Sequence, residues 1–150
     1  MDLIALTITK TWLTGNVSGQ KSISAFRYYQ LTFGCEGISV RVSIIYRLYR
    51  TKKNGLKATD FLKQFSEFVG PLDTYRGHFL ILRNFNIHWD CKGNADSKYV
   101  ADILRFANLG KHVQERTHRH GHLVDIVISR DDDYFIKDVS VFYVVFPYKH

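Results

Sequence analysis

His78-Phe79-Leu80-Ile81-Leu82-Arg83-Asn84-Phe85-Asn86-Ile87-His88-Trp89-Asp90 is the stretch whose reading decides the fold. Phe79 to Leu82 is an unbroken apolar run, too short for a helix and bounded by polar and turn residues. Such a run reads as a strand buried on both faces. Beyond it, Asn84, Asn86, His88 and Asp90 recur at every second position, so they share one direction while the chain stays extended. A hydrophobic strand that delivers polar groups at its C-terminal end is how sheets of the α/β type build sites.

Helical periods flank this strand on both sides. Upstream, Phe61, Leu62, Phe65, Phe68 and Val69 form one apolar face of a helix from Ala58, with Thr59 as its cap and Gly70-Pro71 as its stop. Downstream, Cys91 to Ala95 reads as a loop. A second helix capped by Ser97 then runs through Leu109, with Gly110 as the residue beyond its end. Strand, helix and strand from Phe79 to Val127 give one two-layer half of an α/β sandwich. Farther out, Asp2 to Trp12 reads as a strand and Asn16 to Ser24, polar and Gly-bearing, as a loop. Phe26 to Phe33 and Ile38 to Ile44 form a hairpin about Gly34–Gly37 with one buried face. Ile126 to Ser129 is a strand, Arg130 to Asp133 a solvated hairpin tip, and Val139 to Phe146 a last strand.

The 150 residues suit a single domain spanning 1–150, and 45% apolar with 23% charged residues is ordinary for a globular chain. No stretch approaches the roughly 20 apolar residues of a membrane span. The start Met1-Asp2 lacks the basic and apolar segments of a secretory leader. Cys35 and Cys91 form neither a CxxC pair nor a disulfide framework, which favours a reducing, intracellular site, nuclear or cytoplasmic. A net charge of +7 suits a polyanion, and Arg47, Arg50, Lys52 and Lys53 form the tightest basic cluster. His118, His120 and His122 alternate, but no carboxylate or thiolate completes a zinc set and Arg119 interrupts them. They read as a polar loop.

Leu80 to Asp90 resembles the Leu-Ile-Leu-Gly-Asp-Phe-Asn-Ile-His segment of the endonuclease/exonuclease/phosphatase superfamily, and most closely that of non-LTR (LINE-type) retrotransposon endonuclease domains, which accompany reverse transcriptases. Thr117 to Val127 is similar to their Thr-x-x-x-Gly-His-x-Leu-Asp-Leu-Val segment, and Thr9 to Leu13 to their Thr-Glu-Thr-Trp-Leu. Tyr46 stands where they have the Tyr of Tyr-Arg-Pro-Pro. The resemblance implies an α+β fold: two packed mixed β-sheets flanked by helices, here incomplete. It further implies a shortening near residues 24–26 and a missing C-terminal end, because no Ser-Asp-His follows Phe146. The activity implied is Mg²⁺-dependent cleavage of DNA phosphodiesters, with Tyr46, Asn84, Asn86 and Asp125 at catalytic positions and position 10 at that of the metal-binding Glu. DNA contacts would fall to Arg47, Arg50, Lys52, Lys53 and His122.

This chain departs from the pattern where the chemistry is most demanding. Lys10 replaces the metal Glu, Asn84 the water-activating Asp, and Arg83 the usual Gly. The first two exchanges make the pocket about three charges more positive and Arg83 adds a further cation, which opposes a hard divalent cation that needs oxygen ligands. Asn84 cannot take a proton from water at neutral pH. The expectation is a retrotransposon-derived endonuclease-like domain without catalysis. The alternative is a non-enzymatic basic protein that binds nucleic acid through its acid-poor groove.

Overall fold

In a computed structural model the described residues are 14–23, 25–35, 37–48, 51–84, 87–117, 125–136 and 139–140, with the backbone alone for 14–23, 35, 83 and 84. Six strands and two helices lie among them. In chain order they are β1 (Thr14–Ile23), β2 (Phe26–Cys35), β3 (Ile38–Arg47), α1 (Ala58–Val69), β4 (His78–Asn84), α2 (Ala95–Phe106), β5 (Leu109–Lys111) and β6 (Asp125–Arg130), with a 3₁₀ turn at Gly70–Thr74. The strands form one mixed sheet in the order β1-β2-β3-β4-β6-β5. β1, β2 and β3 make an antiparallel meander, β3 and β4 run parallel across the α1 connection, and β6 is antiparallel to both β4 and β5. This is the expected α+β class. The second sheet of a sandwich and the strand expected over residues 2–12 fall outside the described residues, as does that over 139–146 but for its first two residues.

The apolar run behaves as its pattern requires. The strand ends at Asn84, however, and Trp89 and Asp90 lie in a turn, so the shared direction expected of Asn84, Asn86, His88 and Asp90 is not carried by an extended chain. β4 lies inside the sheet between β3 and β6. Phe79 and Ile81 are buried in the helix-side core with Phe26, Phe61, Phe65, Val100 and Ile128. Leu80 and Leu82 belong to a smaller cluster on the opposite face with Val40 and Val42. Both faces of the run are thus used, which is why it does not alternate.

Several local expectations are corrected. Residues 14–23 form a strand rather than a loop, paired with β2 from Thr14↔Gly34 to Ile23↔Phe26, with a register shift between Val17 and Gln20. An outer strand is held by ladder hydrogen bonds and can stay polar, so apolar alternation is a poor guide to it. The β2–β3 hairpin has the expected pairing, its two-residue connection ending at Gly37 with φ 80, a left-handed value suited to glycine. However, both faces of β3 are covered at its centre: Ser43 is buried, and Arg41 and Arg47 lay their guanidinium groups over the Tyr75 and Phe61 rings at 4.0 and 4.7 Å. Long cationic side chains can cover apolar surface with their stems, so an Arg in a strand pattern does not by itself mark a solvent face.

The helix ends also differ by a few residues. Lys57, extended at φ −106 and ψ 159, occupies the N-cap position of α1, and its N–H donates to the Asp60 carboxylate at 2.7 Å. Thr59 is already helical. Asn94, not Ser97, caps α2 by accepting from the Asp96 and Ser97 N–H groups at 3.0 and 3.2 Å. The helix stops at Phe106 because Asn108 turns left-handed, at φ 53, and feeds Leu109–Lys111 into β5. Gly110 is therefore a strand residue. α1 buries Phe61, Leu62, Phe65 and Val69, and the Phe26 ring meets Phe61 and Phe68 edge-on at 5.9 and 5.6 Å. The Ala25 N–H, at the turn before β2, donates to Gln64 Oε1 at 2.9 Å and ties that turn to α1.

Candidate functional site

Three of the sequence-selected positions meet at one end of the sheet. Asn84, the last residue of β4, is the register partner of Asp125, the first of β6. In the parallel pair β3–β4, Ile44 lies opposite Leu82, so Tyr46 comes level with Asn84 two residues on. Tyr46, Asn84 and Asp125 therefore occupy neighbouring strand ends in the order β3, β4, β6. Tyr46 is 42% exposed, open to a ligand, whereas Asp125 is only 5% exposed.

A hydroxyl from the preceding segment fixes the approach to Asp125. The Asp125 N–H donates to Thr117 Oγ1 at 2.9 Å, and Thr117 is itself buried. This bond closes the ends of the Thr117–Asp125 block. Sequence reasoning quoted that Thr without giving it a task; a hydroxyl residue leading into a strand-opening Asp was the available signal.

The basic candidates divide. Lys52 and Lys53 are exposed on a turn braced by the Thr51 N–H to Asn54 Oδ1 at 2.8 Å and the Asn54 N–H to Thr51 Oγ1 at 3.1 Å. This turn follows β3, and so leaves the sheet at the end that carries Tyr46. Arg47 is half-buried and its guanidinium rests on the Phe61 face, so its position serves packing. Lys10, Arg50, Asn86 and His122 lie outside the described residues.

At the opposite end of β6 the polar groups are densely engaged. Arg130 donates from Nη1 to Gly77 O at 2.9 Å and from Nη2 to Leu72 O at 3.1 Å and to Tyr75 O, with its charge 5.0 Å from the Phe79 ring centre. Next to it, Asp131 and Asp132 are exposed on the expected turn, but Asp133 is not solvated: its side chain is 9% exposed, and both its oxygens accept from His78 Nδ1, at 2.7 and 2.9 Å. The His78 ring stacks on Phe135. His112 Nε2 lies 2.6 Å from the Ser129 hydroxyl, and burial lowers its pKa against the opposing pull of Asp131 and Asp133.

No family model and no curated protein sequence matches this chain. Solved structures do. A β-hairpin deletion mutant of beta toxin from Staphylococcus aureus superposes with a TM-score of 0.51 at 15% identity, over 84% of this chain and 50% of that one. The fold is similar to that of this toxin. An endonuclease/exonuclease/phosphatase family protein from Leptotrichia buccalis C-1013-b (TM-score 0.43, 11% identity, 77% and 48% covered) and another S. aureus beta toxin structure (0.45, 17%, 72% and 43%) are also among the neighbours. The chain spans about half the length of these proteins or less.

Among the described residues no three His, Cys, Asp or Glu side chains gather into a metal-sized group. The positions matched to the endonuclease pattern offer one carboxylate, Asp125, beside two amides, a phenol and an ammonium. Mg²⁺ is held through one or two carboxylates with water completing its shell; here the single carboxylate, Asp125, is buried and the position matched to the metal-binding Glu carries the Lys10 ammonium, which repels a cation, so this set fits the ion poorly.

Proposed function

We propose that this chain is an endonuclease/exonuclease/phosphatase-type domain of retrotransposon-endonuclease descent that has lost metal-dependent phosphodiester cleavage. What carries the reading is the register: Asn84 opposite Asp125, with Tyr46 level beside them. These are positions the sequence resemblance assigns to one catalytic constellation, and they share one sheet end although they come from three separated segments. The side-chain types then remove the chemistry. Phosphodiester hydrolysis of this kind needs carboxylates to hold the cation and a base to take a proton from water. Lys10 and Asn84 supply neither.

The test is nicking of supercoiled plasmid with and without Mg²⁺, on protein first shown to unfold cooperatively. The wild type is expected to be silent, and Lys10→Glu combined with Asn84→Asp to restore metal-dependent nicking that Asp125→Ala then abolishes. Metal-dependent nicking by the wild type, itself lost in Asp125→Ala, would overturn the reading.

A further inference from the structure

The last turns of α1 and α2 frame an open groove at the end of the sheet where β4 begins. α1 leads back from β3 to the start of the parallel strand β4. α2 leads back from β4 to β5, which runs parallel to β4 because β6 is antiparallel to both. The groove therefore lies away from the Tyr46–Asn84–Asp125 end. It measures about 490 Å³, with the buried Val69 and Ile103 as its floor. On its rim Phe106, the last residue of α2, is 83% exposed, and Tyr99, nearer the start of the helix, is 53% exposed. Tyr99, Ile103 and Phe106 stand at i, i+4 and i+7, one stripe of the helix. Val100 and Leu104 already face the core, so the two rings add little to the packing of this fold.

A ring standing in water beside an apolar hollow is a knob and a hole on one surface. That pairing is self-complementary, because a two-fold axis sets each knob over the other copy's hole. Aromatic side chains are concentrated in contacts of this kind. Charge then selects a second copy among the occupants such a hollow would take. At a net +7 two copies repel where their basic faces meet, so a contact between them must bring carboxylates to cations. This surface does so. Asp73 and Asp102 stand on the rim of the groove, and Arg105 adjoins Phe106 in the chain. A Phe106 ring entering the groove of a second copy therefore carries a guanidinium to those two carboxylates. Asp73 is exposed and holds no ion pair among the described residues. Asp102 bonds its own Arg105 at 3.0 Å, but the two side chains are 46% and 75% exposed, and an exposed pair is weak enough to exchange between copies.

We propose that the chain forms a two-fold dimer in which Phe106 of each copy fills the α1–α2 groove of the other, with Arg105 paired to Asp73 and Asp102 across the contact. The strand ends that carry Tyr46, Asn84 and Asp125 lie outside this contact, so the dimer goes beyond the proposed function and does not rest on it.

The experiment is analytical ultracentrifugation of the full chain from about 1 to 200 μM, without metal or nucleic acid. Two variants separate knob from hole. Phe106→Ser removes the ring and leaves the groove open. Ser66→Arg, on the α1 wall of the groove, blocks it and leaves the ring. Both positions are exposed, so the core of each variant stays intact, which urea unfolding checks. The wild type is expected to shift from monomer to dimer over this range, and each variant alone to associate about tenfold or more weakly. An equimolar mixture of the two variants should associate more strongly than either alone, because the heterodimer keeps one ring facing one open groove. A wild type that stays monomeric overturns the proposal and leaves the groove to a partner of another kind. Dimers as strong in Phe106→Ser as in the wild type overturn it too, and so does a mixture no better than its components, the mark of a merely adhesive patch. No nicking enters this assay, so its failure and that of the proposed function are told apart.

Discussion

The two ends of β6 put two kinds of polar residue to different uses. At its C-terminal end Arg130 reaches three backbone carbonyls of the 70–77 connection and covers the Phe79 ring, while Asp133 next to it holds His78 at the start of β4. At its N-terminal end Asp125 stands opposite Asn84, and Tyr46 comes level with Asn84 on β3. The first end is built to hold the sheet together. The second brings one carboxylate, an amide and a phenol to neighbouring strand ends, the arrangement on which the proposed function rests. The residues that fasten the strands are thus not those that stand at their tips, so fold and site can vary independently.

The largest effect is expected where Arg130 is removed. Arg130→Met keeps the stem but withdraws donors from Gly77, Leu72 and Tyr75 carbonyls at once. Hydrogen bonds from a charged donor contribute about 1.5–3 kcal/mol each and are not additive, so a loss of about 3 kcal/mol is expected in urea unfolding. Arg130→Lys should recover less than half of it, since one ammonium cannot span three carbonyls as a guanidinium fork does. A loss under about 1 kcal/mol for Arg130→Met would erase the contrast between the two ends.

A smaller effect belongs to the other end. Thr117→Val is nearly isosteric and removes the acceptor of the Asp125 N–H. The expected cost is about 1–2 kcal/mol, with faster hydrogen exchange at the Asp125 amide. Thr117→Ser, which keeps the hydroxyl, should restore most of the protection. An unchanged exchange rate in Thr117→Val would mean that Thr117 does not position the start of β6.

What could be read in advance follows from which forces leave a local trace. The Phe79–Leu82 run, the Phe61/Phe65 stripe and the β2–β3 hairpin were legible because burial imposes a period on sequence. Asp125 at the opening of a strand, and its kinship with Asn84 and Tyr46, were legible through the resemblance, though their alignment across β3, β4 and β6 is a matter of register. β1 was not legible: its partner supplies its hydrogen bonds, and no apolar alternation announces them. The Asp133–His78 bond and the Arg130 clamp joined residues more than fifty positions apart, which no local pattern reports.

The smallest effect expected is a pH dependence at the Arg130 end. Burial lowers the pKa of His112 below its ordinary 6.5, and Asp131 and Asp133 oppose that shift without cancelling it. The folded state then binds fewer protons than the unfolded chain as pH falls past 6.5. Stability supplied by the neutral imidazole is therefore present above that pH and is lost as pH drops through the lowered pKa. His112→Gln, whose amide can still donate to the Ser129 hydroxyl, removes the titration and should flatten the fall in urea midpoint below pH 6.5 relative to the wild type. Asp131→Asn should steepen the same fall, because it withdraws one of the charges that favour protonation. Equal slopes in all three proteins would show that the carboxylates beside Arg130 fully offset the burial of His112, and that this end of β6 is held without regard to proton concentration.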